Sequence, residues 1–332
     1  MARALTAGCE VVVICCDQQL WDLSHPLIIQ RGILMDTTGL YLGRDWGIVY
    51  DQRVKVSNAE LEYTIVGQGE PVLDIHCTSI ADGLAVPLIK FNPWLLNKYQ
   101  FIIYHRAGYH GSTLEKESLS IGEMAEHAEQ VLDHLGIEKA HVLAYSFGGV
   151  IGFQFLLSYP KRAHSAVLLE PYLPREKQEA ARANIDAITR AMDLFKKGDK
   201  REAATGFMAD VCGPRYLASV EITCPLDTWG KVEECADTTF LVDFPALRDW
   251  GFKMSEADTL VSRKPSMPVL AVTGMESESV MPGFREVQSF LMDWLPQAER
   301  CGIIAASHGM QIMNPTAVGE VVDKFLSKYP MR

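Results

Sequence analysis

The chain has 332 residues, 48% of them hydrophobic, and a formal net charge of −11 with no basic cluster. This composition supports a large buried core and argues against nucleic acid or an anionic membrane as the main partner. The eight cysteines are scattered and include no C-x-x-C pair, so neither a zinc site nor a disulfide framework is expected. Free thiols favour a reducing compartment, and we expect a cytoplasmic protein.

Residues 1–50 do not share the pattern of the sequence that follows, and we treat them as an N-terminal extension of unclear structure. Alternating and buried apolar runs then predict the first four strands. These strands cover residues 53–56, 60–65, 71–75 and 99–104. A helix is predicted from Ser120, which can form a capping box with Glu123, to Gly136, a residue type that favours a helix end.

The stretch from His141 to Gly149, H-V-L-A-Y-S-F-G-G, predicts a buried strand that ends at Ser146 and turns at once into a helix. A serine at such a turn takes a strained backbone conformation, and the small residues Ala144 and Gly148 avoid a clash across it. The Ser146 hydroxyl would then lie near a helix N-terminus, where negative charge is stabilised. This setting makes Ser146 the candidate nucleophile.

A further strand over 165–169 ends at Glu170, and from residue 172 to 264 strands no longer alternate with helices. Because this segment is helical in pattern and rich in aromatic residues, we interpret it as a cap inserted into a core of residues 51–171 and 265–332. A few aromatic side chains are expected to line a pocket for an apolar substrate. The candidates are Tyr145, Tyr172, Trp229, Phe240 and Phe244.

The alternation resumes after the cap. Strands are predicted over 268–273 and 302–305, a helix over 283–294, and a terminal helix that Asn314 and Pro315 cap and open. Strands that alternate with helices in this way predict an α/β fold with a doubly wound, mostly parallel sheet.

A serine nucleophile needs a neighbouring base, and the base needs an orienting acid. His308 lies in the loop after the last predicted strand, at the sheet edge where Ser146 emerges, whereas His164 precedes a strand. The acid can be Glu170, or alternatively Glu276 or Glu278. A carboxylate at the end of a buried strand requires a charged or hydrogen-bonded partner, which favours Glu170.

A tetrahedral oxyanion needs backbone N–H donors. Phe147, the residue after the nucleophile, is expected to supply one of them, and Cys77 or alternatively Thr78, in the loop after an earlier strand, the other. His105 and His110 match no metal-binding spacing and have no accompanying acidic or cysteine ligands in sequence, so no metal is expected.

These motifs resemble the α/β-hydrolase superfamily. The similarity runs from about Arg53 to the end of the chain and rests on H-C-T-S, H-R-A-G-Y-H-G-S, A-Y-S-F-G-G and A-S-H-G. Cys77 stands where the family usually has glycine, and Ser277 where many members carry the catalytic Asp. Zearalenone-type lactone hydrolases are similar in placing a glutamate after the strand that follows the elbow, the sixth of the fold, which implies Glu170 as the acid.

The residues and the resemblance together predict a cofactor-free serine hydrolase that cleaves a small apolar carboxylic ester or lactone through an acyl-enzyme. One alternative is a C–C bond hydrolase or a lyase that uses the same triad. Another is a ligand-binding protein of the same fold without turnover. The sequence leaves a homodimer open.

Overall fold

A computed structural model describes residues 28–30, 33–35, 47–174 and 178–331 of the chain. Its main feature is an eight-stranded sheet in the order β10-β9-β8-β7-β5-β6-β4-β3. The strands are β3 (Gln52–Val56), β4 (Ala59–Gly67), β5 (Glu70–Ile75), β6 (Tyr99–Tyr104), β7 (Ala140–Tyr145), β8 (Ala163–Leu169), β9 (Val269–Gly274) and β10 (Ala298–Ile303). All neighbours pair in parallel except β3 with β4 and β4 with β6, so the predicted mostly parallel α/β sheet is confirmed.

Helices cover both faces of this sheet and fill the connection between β8 and β9. They are α1 (Ala85–Phe91), α2 (Ile121–His134), α3 (Ser146–Ser158), α4 (Gln178–Lys196), α5 (Lys200–Cys212), α6 (Arg215–Thr223), α7 (Thr228–Glu234), α8 (Phe244–Asp249), α9 (Ser277–Val280), α10 (Gly283–Trp294), α11 (Met310–Met313) and α12 (Pro315–Lys328). Three 3₁₀-helices (Ala81–Gly83, Pro93–Asn97 and Met254–Arg263) and a π-helix (Thr238–Asp243) complete the set.

The central strand β7 shows why the sheet must be covered on both sides. All six of its residues are buried, and successive side chains point to opposite faces. Val142 and Ala144 pack with α2 and α3, whereas Leu143 and Tyr145 pack with α1 and α12. Since burial of one such aliphatic side chain is worth roughly 1.5–3 kcal/mol, this strand is held in register from both faces.

Local signals place the helices that flank the site. The Ser120 side chain accepts from the Glu123 amide at the start of α2. The Glu123 side chain accepts in turn from the Ser120 amide, as the capping box predicts. The Asn314 side chain accepts from the Ala317 amide and caps α12, which opens with Pro315. Gly136 follows α2 with φ +66°, a conformation that glycine adopts without strain.

The bounds predicted for the last strand, 302–305, are wrong. The strand β10 runs from Ala298 to Ile303 and pairs only with β9, at the edge of the sheet. Its exposed edge allows polar residues such as Glu299 and Arg300, so the strand lacks the apolar run that marks buried strands. Ile304, which suggested a longer strand, is 70% exposed beyond its end.

The insertion between β8 and β9 is helical, as expected; residues 175–177 of it lie outside the described part, and its boundaries at 172 and 264 stay predictions. Most of the predicted extension over 1–50 also lies outside the described residues. Within it, β1 (Ile28–Gln30) and β2 (Ile33–Met35) pair antiparallel, and Tyr50 reaches the core. Among the residues described, no helix combines the length and apolar composition needed to cross a membrane.

Candidate active site

Ser146 stands at the sharp turn where β7 becomes α3. Its backbone φ is +55°, in the left-handed region that a non-glycine residue rarely adopts. The turn brings α3 so close to β5 that a Cβ on Gly148 would lie 2.1 Å from the Ile75 carbonyl oxygen. Glycine is therefore required at this position for the helix to approach the sheet, as the sequence predicts for small neighbours of Ser146.

The structure brings Ser146, His308 and Glu170 together in one hydrogen-bonded chain. His308 Nε2 lies 2.8 Å from Ser146 Oγ, and His308 Nδ1 lies 2.8 Å from Glu170 Oε2. A carboxylate accepts, so Nδ1 carries the proton and Nε2 is left to accept from the serine hydroxyl. This is the arrangement in which an imidazole can remove the proton of a serine that attacks a carbonyl.

Glu170 is buried, and its remaining oxygen is also satisfied. Oε1 accepts from the Gly274 amide at 2.9 Å and from the Thr273 hydroxyl, both at the end of β9. These bonds offset the cost of burying the carboxylate and orient Oε2 toward His308. The residue has φ +37°, so the acid, like the nucleophile, occupies an unusual backbone conformation at a strand end.

The two alternative acids occupy other surroundings. Glu276 forms an ion pair with Arg215, and Glu278 forms one with Arg285 at 2.5 Å. Both carboxylates are more than two-fifths exposed. In the described part of the chain, Glu170 is the carboxylate that the hydrogen bonds place on His308.

Aromatic packing fixes the ring of His308. Phe284, at the start of α10, stacks on it with a centroid distance of 4.3 Å and an interplanar angle of 20°. Tyr145 approaches the same ring at 5.1 Å. Sequence reasoning did not assign Phe284 to the site, because its spacing from Val287 and Leu291 indicates only an inward helix face.

Cys77, Thr78 and Phe147, the candidate oxyanion residues, line the same cavity as Ser146. Burial raises the pKa of the Cys77 thiol to about 12, and Sγ donates to the Ile80 carbonyl. The thiol therefore stays protonated and is a poor nucleophile at neutral pH, so the backbone is the part of Cys77 that can contribute to chemistry.

A cavity of about 460 Å³, which includes space open to solvent, lies over Ser146. Its walls carry no lysine, arginine, aspartate or glutamate side chain among the described residues. The lining consists of Cys77, Thr78, Tyr145, Ser146, Phe147, Tyr172, Phe207, Met208, Val211, Cys212, Tyr216, Phe244, Leu247 and His308. The cavity can accordingly accept an apolar, uncharged group next to the hydroxyl.

Three of the five predicted pocket residues lie in this lining, and two do not. Trp229 is half-buried, and its indole N–H donates to Glu221. Phe240 is fully buried between Phe195 and Phe244, with ring centroids 4.7 and 5.3 Å away. Both predictions are corrected: Trp229 lies between helices of the insertion, and Phe240 is part of its core.

Several lining residues were not predicted as pocket residues. They come from α5, α6 and α8 and are Phe207, Met208, Val211, Cys212, Tyr216 and Leu247. Their contribution depends on how the inserted helices pack over Ser146, and no local sequence signal specifies that packing.

A second group of polar residues, the His105 cluster, consists of Glu62, Asp82, His105 and His110. Ligand atoms of Glu62, His105 and His110 lie within 4.8 Å of one another. However, His105 Nδ1 lies 2.7 Å from Glu62 and Nε2 lies 3.2 Å from Asp82. Burial alone would lower the pKa of His105, but the hydrogen bonds and charges of the two carboxylates outweigh burial and raise it. With both ring nitrogens bonded to carboxylates, His105 has no nitrogen free to bind a metal.

Fold and site together define a class of protein. An eight-stranded, mostly parallel sheet, helices inserted between β8 and β9, and a serine at the turn after β7 within reach of a histidine after the last strand are features of α/β hydrolases. The family model described as alpha/beta hydrolase fold matches residues 77–315. The chain belongs to this family.

Individual relatives show what the chain is similar to. A 2-hydroxy-6-oxo-6-phenylhexa-2,4-dienoate hydrolase of Burkholderia cepacia is 29% identical over 118 residues, which are 35% of this chain and 41% of that protein. The chain spans about two-fifths to one-half of the length of several curated relatives that it matches.

Among solved structures, an esterase of Thermogutta terrifontis superposes with a TM-score of 0.62 at 19% identity, over 84% of this chain and 100% of that chain. Est816, an N-acyl homoserine lactone degrading enzyme, gives 0.61 at 19% identity, over 83% and 100% of the two chains. Likeness at this level of identity shows a shared fold.

Proposed function

We propose that this protein is a cofactor-free serine hydrolase that cleaves a carboxylic ester or a lactone of apolar character. One observation carries the proposal: two 2.8 Å hydrogen bonds connect Ser146, His308 and Glu170 at the wall of an apolar cavity. The structural neighbours include an esterase and a lactone-degrading enzyme, which agrees with this substrate class.

In the first half of the reaction, Ser146 Oγ attacks the carbonyl carbon while its proton passes to His308 Nε2. Glu170 stabilises the imidazolium that results. The amides of Phe147 and of Cys77 or Thr78 stabilise the oxyanion. When the C–O bond of the ester breaks, His308 returns the proton to the leaving alkoxide, and an acyl-enzyme remains.

Water completes the cycle. It attacks the acyl carbon as His308 takes one of its protons, and the second tetrahedral intermediate collapses to release the acid and restore the Ser146 hydroxyl. For a lactone, the hydroxyl and the carboxyl of the product belong to one molecule.

The cavity walls favour an ester or lactone over C–C bond cleavage. The relative from Burkholderia cepacia acts on a dienoate, which carries a carboxylate. Burial of a charge without a charged partner is costly, and no lysine or arginine is among the lining residues that the structure describes. An uncharged acyl group needs no such partner.

The direct test is Ser146→Ala assayed with p-nitrophenyl butyrate. We expect kcat to fall by more than about 10³-fold, and a fluorophosphonate to label the wild type but not the variant. Ser279→Ala, which removes an exposed hydroxyl bonded to the Glu276 carbonyl, is the matched control and should keep wild-type activity. Full activity of Ser146→Ala would refute the proposal.

A further inference from the structure

A buried ion pair joins the insertion to the loop that follows β6. Arg106 Nη1 and Nη2 lie 2.9 and 2.7 Å from the two carboxylate oxygens of Asp243. Arg106 belongs to the core, and Asp243 is the last residue of the π-helix in the insertion. Their side chains are 4% and 0% exposed, and the Tyr109 hydroxyl donates to Asp243 at 2.6 Å.

The same arginine also holds the loop beside the nucleophile. Its Nη2 donates to the Cys77 carbonyl oxygen at 3.1 Å. Its backbone N–H donates to His76 Nε2 at 2.8 Å, so the His76 proton is on Nδ1, which donates to the same carbonyl at 2.7 Å. Burial, and then the charge of Arg106, lower the pKa of His76, which keeps this single neutral tautomer.

The two hydrogen bonds to the Cys77 carbonyl oxygen fix the orientation of the whole peptide group between Cys77 and Thr78. The peptide bond is planar and trans, so the N–H of Thr78 points opposite to the Cys77 carbonyl. The carbonyl faces Arg106, which is not part of the cavity lining, whereas Thr78 is. The bonds from Arg106 and His76 therefore determine the direction of the Thr78 amide, one of the two candidates for the second oxyanion donor.

The π-helix of the insertion contacts this loop directly. Thr239 Oγ1 lies 3.4 Å from the hydroxyl oxygens of Thr78 and Ser79. Thr238 Oγ1 donates to the Gly108 carbonyl at 2.6 Å. A π-helical turn is rare and often marks a functional site, and here the turn that ends in Asp243 rests on the loop that carries the oxyanion donor.

We propose that Arg106 and Asp243 are positioning residues that orient the Cys77–Thr78 peptide toward the oxyanion only while the inserted helices are docked. The proposal rests on the proposed function, because an oxyanion forms only if Ser146 attacks a carbonyl. A buried ion pair adds little net stability. Its bidentate geometry, however, fixes the orientation of the Arg106 guanidinium. Arg106 acts through the peptide and does not touch the substrate.

The test compares Asp243→Asn with the wild type in p-nitrophenyl butyrate hydrolysis. Loss of the charge lets Arg106 move, and a small misplacement of catalytic groups can cost about 100-fold, so we expect kcat to fall about 10- to 100-fold while KM changes little. The rate of fluorophosphonate labelling of Ser146 should fall in parallel. Asp210→Asn, which breaks an exposed pair with Arg190 in the same insertion, should change neither rate.

A double variant, Arg106→Met with Asp243→Leu, separates positioning from stability. Replacing a buried pair with apolar residues often restores stability, so its Tm should recover toward the wild type while kcat stays low. A wild-type kcat in this double variant would overturn the proposal. This test can be made even if Asp243→Asn does not fold. If the wild-type protein itself neither turns over nor labels at Ser146, the proposed function fails instead.

Discussion

Two buried histidines that the structure describes, His308 and His105, are bonded to carboxylates, and their arrangements differ in one respect. In the site at Ser146, His308 gives one nitrogen to Glu170 and the other to a hydroxyl at a cavity wall. In the His105 cluster, both nitrogens of His105 are bonded to carboxylates. The side chains are equally buried, at 2% and 1% exposure. A base requires a nitrogen that can accept a proton, so of these two histidines His308 is the one with a nitrogen suited to that role.

The comparison teaches that residue type and burial do not identify a catalytic histidine. The carboxylates around His105 raise its pKa and bond both of its nitrogens, which suits a structural link between β4, β6 and the loop after β5. One carboxylate beside His308 orients the ring and leaves the second nitrogen available. Three predictions test this difference, in order of decreasing effect.

The largest effect is expected from Glu170→Gln. The glutamine side chain is neutral, so it offers His308 Nδ1–H no negatively charged acceptor. The imidazolium formed during attack therefore loses its stabilisation. We expect kcat to fall by about 10³- to 10⁴-fold, measured with p-nitrophenyl butyrate. Glu62→Gln, the same change beside His105, should lower Tm and keep kcat within a few-fold. Similar losses of kcat in both variants would contradict the comparison.

The sequence alone placed the fold and the ends of β5, β7 and β8, but not the end of β10, the strand before His308. A buried strand that meets a small-residue turn can be recognised locally, which is why Ser146 was identified as the candidate nucleophile. Glu170 could be favoured over Glu276 because a carboxylate that ends a buried strand needs a partner. Its role as the acid stays a prediction until the variant is measured.

Contacts between the insertion and the core could not be predicted. Asp243 and Arg106 are 137 residues apart in the chain, and neither lies in a pattern that names its partner. Phe240 and Phe244 are four residues apart and alike in composition, yet only Phe244 lines the cavity. Which face of a short helix meets the substrate depends on packing that involves distant elements, so Trp229 and Phe240 were assigned incorrectly.

The second prediction concerns the pH dependence of stability in His105→Gln. The pKa of His105 is raised in the folded protein, so its contribution to the free energy of unfolding is full below its unfolded pKa of about 6.5 and is lost as pH rises through the folded pKa. Removing this partner of two buried carboxylates should cost about 3 kcal/mol near pH 6. The Tm difference between wild type and variant should shrink from pH 6 to pH 9.

The groups bonded to or stacked on His105 do not reverse this sign. Burial, and then the charge of His105, lower the pKa of His110 to about 4. The pKa values of Glu62 and Asp82 are also lowered, since bonds from His105 outweigh burial, so these groups do not titrate between pH 6 and 9. A Tm difference that grows with pH would show that His105 is neutral in the folded protein.

The smallest effect is expected from Tyr50→Phe. The Tyr50 hydroxyl donates to Asp82 at 2.7 Å, and its ring lies 3.8 Å from that of His105. Phenylalanine keeps the ring contact and removes one hydrogen bond to a charged group, which is worth about 1.5–3 kcal/mol. Asp82 keeps His105 at 3.2 Å and Lys231 at 3.6 Å, so it stays ionised and the loss should fall at the low end of that range.

Thermal unfolding at pH 7 measures this loss as a decrease of a few degrees in Tm, and esterase assays should give an unchanged kcat. The reason is that the His105 cluster lies outside the cavity lining: each ring nitrogen of His105 is bonded to its own carboxylate, and neither takes part in proton transfer during turnover. If Tyr50→Phe lowered kcat as strongly as it lowers stability, the cluster would have to take part in the chemistry, and the distinction between the two histidines would no longer hold.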